Sequence, residues 1–259
     1  MLKMKKTASI LLFYAMILLS VGRLSAQYPS PFMERTADKS GDRTVPLMGA
    51  EVPSFTAQST EGVINFPEDF GEDWKIIFAH PKNFTPVCSS ELLELAHKQE
   101  HLNELGARLI VISTDMLDHH YRWKAALEEI PFRGRDPVEI NFPMVDDHSY
   151  HVSNLLGMIH PDVSISKNVR GVFIIDPENK VRSINFYPNE VGRNINELER
   201  TLVALQKTYN SREIVTPANW QPGDDVMVPA LSSDDMESLD DPDSPFYQIS
   251  FFMTFRKME

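Results

Sequence analysis

The stretch Ala107–Thr114, ARLIVIST, sets the tightest limit on the fold. An unbroken apolar run of this kind, without polar alternation, is characteristic of a strand covered on both faces. Trp74–Ala79 and Arg170–Asp176 (RGVFIID) read the same way. Between them lie helical patterns. Ser89–Leu105 carries Leu92, Leu95, Leu102 and Leu105 and meets Gly106 at its end; Asp118–Ile130 is stopped by Pro131; Asn194–Lys207 places Ile195, Leu198, Leu202 and Leu205 on one stripe. Phe55–Ser59 and Gly62–Phe66 read as a hairpin, Asn141–Val145 as a short strand and Ser149–Leu156 as a short helix. Val181–Tyr187 returns beside Arg170–Asp176 across the turn at Pro177–Lys180. That order implies an α/β sandwich in which helices flank a mixed central sheet.

The chain has a single cysteine, Cys88, within FAHPKNFTPVCSSE. Two prolines, Pro81 and Pro86, end the strand before it, and the helical pattern follows directly. The thiol therefore sits in the opening turn of a helix, where free backbone N–H groups and the helix dipole favour thiolate over thiol. A lone cysteine can equally be a small buried hydrophobe. Here its neighbours are His80, Thr85, Ser89 and Ser90 rather than an apolar cluster, which favours a reactive group.

Pro81-x-x-x-Thr85-x-x-Cys88 resembles the active-site signature of the peroxiredoxins, the alkyl hydroperoxide reductase/thiol-specific antioxidant family. The longer string HPKNFTPVCSSE is similar to the one-cysteine subfamily, in which a histidine precedes the first proline. The resemblance implies a thioredoxin-like sandwich, which also fits the element order, and a thiol-dependent peroxidase acting on hydrogen peroxide and organic hydroperoxides. That chemistry needs a thiolate, fixed donors along the O–O bond and little bulk water. Cys88 would be the nucleophile, Thr85 a hydroxyl able to hold thiolate or peroxide, and Pro81 a shaping residue. Arg170 opens a buried strand, where a charge is costly unless paired, so it is the natural cation for the thiolate. The resemblance implies the same four assignments and adds His80 and Arg193 as supporting residues. No cofactor is implied. An external thiol must restore the oxidised cysteine, because the chain has no second one.

Two departures from the family stand out. Gly71-Glu72-Asp73-Trp74-Lys75 replaces the Gly-x-Ser-x-Gly stretch with which some one-cysteine members act as phospholipases, so that activity is not expected. Asn83 stands where aspartate is common, with little change expected.

Around this core, residues 1–26 read as a signal peptide. Lys3, Lys5 and Lys6 precede an apolar stretch, Ser9–Val21, and Leu24-Ser25-Ala26 offers a cleavage site. The expectation is export, periplasmic or secreted, followed by a flexible leader over 27–44 and the main domain over 45–209. The net charge of -12 argues against nucleic acid and anionic membrane surfaces as partners. Residues 210–259 form an extension that is acidic from Asp224 to Pro245 and aromatic from Phe246 to Phe255. Its segment TPANWQPGDDVMVP resembles the C-terminal extension of one-cysteine peroxiredoxins. It is expected to serve as an arm across a homodimer or higher homo-oligomer, the alternative being a loop folded back on its own domain.

The pairs His97/His101, His119/His120 and His148/His151 lack a third ligand and read as structural or solvated. Two other readings of Cys88 remain at this level: an incidental thiol in a thioredoxin-like binding or chaperone module, and a disulfide joining two copies.

Overall fold

The computed structural model describes residues 45–258 apart from 210 and 212. The expected signal peptide and leader, up to residue 44, lie outside the described residues. Among the described residues, no helix is long and apolar enough to cross a membrane.

The chain opens with a hairpin, β1 (Phe55–Ser59) and β2 (Gly62–Phe66). Next come β3 (Trp74–Ala79), α1 (Pro86–Glu104), β4 (Ala107–Ser113), α2 (Leu117–Leu127), β5 (Met144–Asp146) and α3 (His151–Leu155). Then follow β6 (Arg170–Ile175), β7 (Val181–Tyr187) and α4 (Ile195–Tyr209). These strands form one seven-stranded mixed sheet in the order β2-β1-β5-β4-β3-β6-β7. The β3–β4 and β4–β5 pairs are parallel, and the others antiparallel.

The unbroken apolar runs are explained by two cores, one on each face of the sheet. Ile76 and Phe78 of β3 and Leu109 and Val111 of β4 point to one face, beneath Leu92, Leu95 and Leu102 of α1, Trp123 of α2 and Leu198 and Leu202 of α4. Ile77, Ala79, Ile110 and Ile112 point to the other, against Phe55, Phe66, Val152 and Met158. Ile110, Val111 and Ile112 are fully buried. Each such side chain contributes about 1.5–3 kcal/mol relative to exposure.

Three elements start two or more residues away from where the sequence reading placed them. Helix α1 begins at Pro86 rather than Ser89, because proline fits the first helical position, where no N–H is needed. Strand β5 begins only at Met144, because Pro143 lacks a donor and the preceding amides are already engaged. Ile140 N donates to the Glu128 carboxylate and Asn141 N to the Gln99 side chain. Helix α3 starts at His151, after Tyr150 at φ 62°, where Asp147 accepts from Val152 N and Ser153 N.

The extension forms a second, three-stranded antiparallel sheet of β8 (Val226–Val228), β9 (Phe246–Ser250) and β10 (Met253–Arg256), in the order β8-β10-β9. A short helix, α5 (Ser233–Glu237), lies between β8 and β9. Trp220 and Val226 pack against Ala204 of α4, and Arg200 Nη1 donates to Trp220 O at 3.2 Å. Tyr247 and Phe255 stack within the small sheet, whereas Phe251 and Phe252 stand out from its turn.

Candidate active site

Strand topology brings the site together. β3 ends at Ala79, the proline-bounded loop 80–85 turns the chain, and α1 starts with Cys88 in its first turn. β6 runs antiparallel to β3, pairing Val172 with Phe78, so its first residue, Arg170, lies just beyond the end of β3. Arg170 is 2% exposed, and its Nη1 lies 3.2 Å from Cys88 Sγ, itself a fully buried free thiol.

Burying a guanidinium requires partners for every donor. Arg170 Nη1 also donates to Glu91 Oε2 at 2.7 Å, while Nε and Nη2 donate to Asn189 O at 3.0 and 2.6 Å. Glu91 follows Cys88 by three residues on the same helix, hence on the same side. Its carboxylate also accepts from Arg193 N, Nε and Nη2 at 2.8, 2.9 and 2.8 Å. The remaining Arg193 nitrogen, Nη1, donates to Ala79 O and Gly171 O, and its guanidinium lies 3.2 Å above the Phe78 ring. Burial pushes the Glu91 carboxyl up, but the Arg193 hydrogen bonds and charge, with Arg170 behind them, hold it below the ordinary value. Sequence reasoning missed Glu91. The signal for it was a carboxylate one turn from the cysteine in a chain where two site arginines needed a counter-charge.

The other expected residues fall close by. Pro81 is buried in the loop. Thr85 occupies the position before α1, and its hydroxyl donates to Lys82 O at 3.0 Å, so its proton is engaged by that carbonyl. His80 is fully buried, with its ring 5.1 Å from that of Trp123 and neither nitrogen hydrogen-bonded. Burial, then the Arg193 charge, pulls His80 down to about 3, so the imidazole is neutral at physiological pH.

The remaining histidines are apart from this centre or engaged otherwise. His101 pairs with Glu104 and Glu199, His148 pairs with Asp146, and His120 contacts Asn83. Among the described residues, no group of three His, Cys, Asp or Glu could hold a metal ion. In the Gly71–Lys75 stretch, Lys75 is buried, and its ammonium donates to Gly71 O and Asn179 Oδ1. A buried cysteine beside a paired arginine, at the start of a helix on a thioredoxin-like sheet, is an arrangement for thiolate chemistry.

Comparison with known proteins decides the family. The AhpC/TSA family profile matches residues 48–184, and the C-terminal domain of 1-Cys peroxiredoxin matches residues 204–238. The chain belongs to the peroxiredoxins. A peroxiredoxin of Methanosarcina mazei is 45% identical over 190 residues, covering 73% of this chain and 86% of that one. Among solved structures, the yeast mitochondrial 1-Cys peroxiredoxin superposes with a TM-score of 0.70 at 34% identity, covering 82% of this chain and 99% of the yeast chain. Peroxiredoxin 6 of Arenicola marina superposes with a TM-score of 0.70 at 29% identity, covering 82% and 98%. Peroxiredoxins are thiol-dependent peroxidases and work through cysteine without a bound cofactor. Substrate and reductant are accordingly a hydroperoxide and a thiol, and the single cysteine is consistent with one-cysteine chemistry. A binding module with an incidental cysteine is thereby set aside.

Proposed function

We propose that Cys88 is the nucleophile of this peroxiredoxin and that Arg170 is the group that holds it ready. The thiolate attacks one peroxide oxygen, so an S–O bond forms as the O–O bond breaks. The sulfur is oxidised by two electrons to sulfenic acid, and the leaving oxygen takes up a proton to depart as water or an alcohol. The single observation that carries this reading is the 3.2 Å contact from Arg170 Nη1 to a sulfur with no solvent exposure. In so dry a site, a donor aimed at sulfur also meets the charge that moves onto the leaving oxygen.

The other residues support that pair. Glu91 and Arg193 fix Arg170, and Pro81 and neutral His80 wall off water. Thr85 can turn its hydroxyl from Lys82 O towards a bound peroxide. With one cysteine in the chain, the sulfenic acid is returned to thiol by an external thiol donor. The solved yeast relative is described as resolving its thiol through glutathione/thioredoxin systems, and a reductant of that kind suits this chain. Both hydrogen peroxide and organic hydroperoxides fit as substrates, in an antioxidant role.

Two further elements of the reading concern the whole protein. The N-terminal pattern supports export, with cleavage after Ala26. The exposed turn of the extension, with Ile249 66%, Phe251 90% and Phe252 70% exposed, supports a homodimer in which this arm covers a second copy. The enzymatic assignment is tested by following peroxide consumption with an external dithiol. Cys88→Ser is expected to remove all activity above the uncatalysed rate, and a variant that retains the wild-type rate would refute the assignment.

A further inference from the structure

The loop that delivers Cys88 contains a conformation that its own side chains do not explain. Phe84, four residues before the cysteine, has φ 56°, the left-handed region that bulky residues avoid. The residue is 57% exposed, and among the described residues its one ring contact is with Trp123 at a centroid distance of 6.3 Å, so packing does not hold it there. The residue before it is held firmly. Asn83 is 3% exposed, and its backbone N–H donates to Asp115 Oδ2 at 2.8 Å. Its side-chain Nδ2 lies 3.2 Å from His120 Nδ1.

Asp115 is itself fixed from behind. Ser113, the last residue of β4, donates its hydroxyl to Asp115 Oδ2 at 3.1 Å, and Asp115 N donates back to Ser113 Oγ at 3.2 Å. The loop is tied to the same strand end once more, through His80 N to Ile112 O at 3.0 Å. The end of β4 therefore grips the loop on both sides of Pro81. Ser113 Oγ also lies 3.5 Å from Asn83 Oδ1, but it is the carboxylate at 115 that holds the Asn83 backbone, next to the left-handed turn.

We propose that Asp115 is a positioning residue for the peroxidase reaction. Through Asn83 N–H it holds Phe84 in the left-handed region and so sets Thr85 and the first turn of α1, with Cys88, against Arg170. This rests on the reading of Cys88 as nucleophile. It separates attack on peroxide, which needs in-line geometry, from simple alkylation, which needs only an available thiolate.

The test compares two rate constants for Cys88 in the full chain: oxidation by hydrogen peroxide and alkylation by iodoacetamide. Asp115→Ala is expected to slow oxidation at least about tenfold, a fraction of the hundredfold that an ångström of misplacement can cost, with alkylation within about twofold. Asp115→Asn, which keeps an acceptor for Asn83 N–H, should retain most of the rate. Adding Phe84→Gly to Asp115→Ala should recover much of the loss, since glycine adopts φ 56° freely. If Asp115→Ala does not fold, Ser113→Ala, which unpins the carboxylate and removes the longer 3.5 Å contact to Asn83 Oδ1, is expected to lower the oxidation-to-alkylation ratio about threefold. An unchanged ratio in the Asp115 or Ser113 variant, or no recovery with glycine at 84, would overturn the proposal. A wild-type Cys88 that peroxide does not oxidise would instead bring down the assignment of the nucleophile.

Discussion

At the scale of single residues, Arg170 and Arg193 share the one carboxylate of Glu91, and burial leaves them no water to turn to. Removing that carboxylate strands two like charges beside the thiol. Glu91→Ala is therefore expected to cost about 3–5 kcal/mol of stability, the range for breaking a buried ion pair. Chemical denaturation measures it, and a loss below 1 kcal/mol would mean that the arginines have found other partners. The sequence announced Cys88, Pro81 and Arg170, because a lone thiol between prolines and a helix, and a charge opening a buried strand, are each odd on their own. It did not announce Glu91 or Asp115. A glutamate in an amphipathic helix looks like Glu94 or Glu104, and Arg193 lies 102 positions away from Glu91 in the chain. Asn83, standing where aspartate is common, is buried and bonded through both its backbone and its side chain.

At the scale of elements, the proline-bounded loop and α2 bring two buried imidazoles together. Burial leads in pulling His80 to about 3 and His120 to about 4. Both stay neutral in the fold but take up protons in the unfolded chain below about pH 6.5, so the unfolded state binds more protons and stability falls as the pH drops. By pH 5 each histidine accounts for about 2 kcal/mol of that loss. Glu91 acts lower, since its stabilisation is lost only as the pH falls through its depressed folded value. His148, raised by its bond to Asp146, runs the opposite way but is exposed to solvent. Urea titrations at pH 7 and pH 5 should therefore show His120→Gln losing about 2 kcal/mol less than the wild type. Parallel losses would show that His120 is protonated in the fold. Strands β3, β4 and β6 were plain in the sequence because both of their faces are apolar. β5 was displaced because Pro143 and the side chains of Glu128 and Gln99 claim its expected start. The small sheet of the extension was hidden by the acidic composition around it.

At the scale of the whole molecule, the extension packs through Trp220 on α4 yet leaves Phe251 and Phe252 in solvent. If that turn covers a second copy, Phe251→Asp/Phe252→Asp should convert a dimer to monomer in light scattering, with an unchanged circular dichroism spectrum. A wild-type chain that is monomeric at micromolar concentration would remove the arm from the account. The enzymatic claim reduces to one buried sulfur held by one arginine, and intact mass spectrometry after a single equivalent of hydrogen peroxide addresses it most directly. The account predicts one added oxygen, mapped to Cys88, in the wild type and none in Cys88→Ser. Oxygen found on methionines with Cys88 still a free thiol would contradict it.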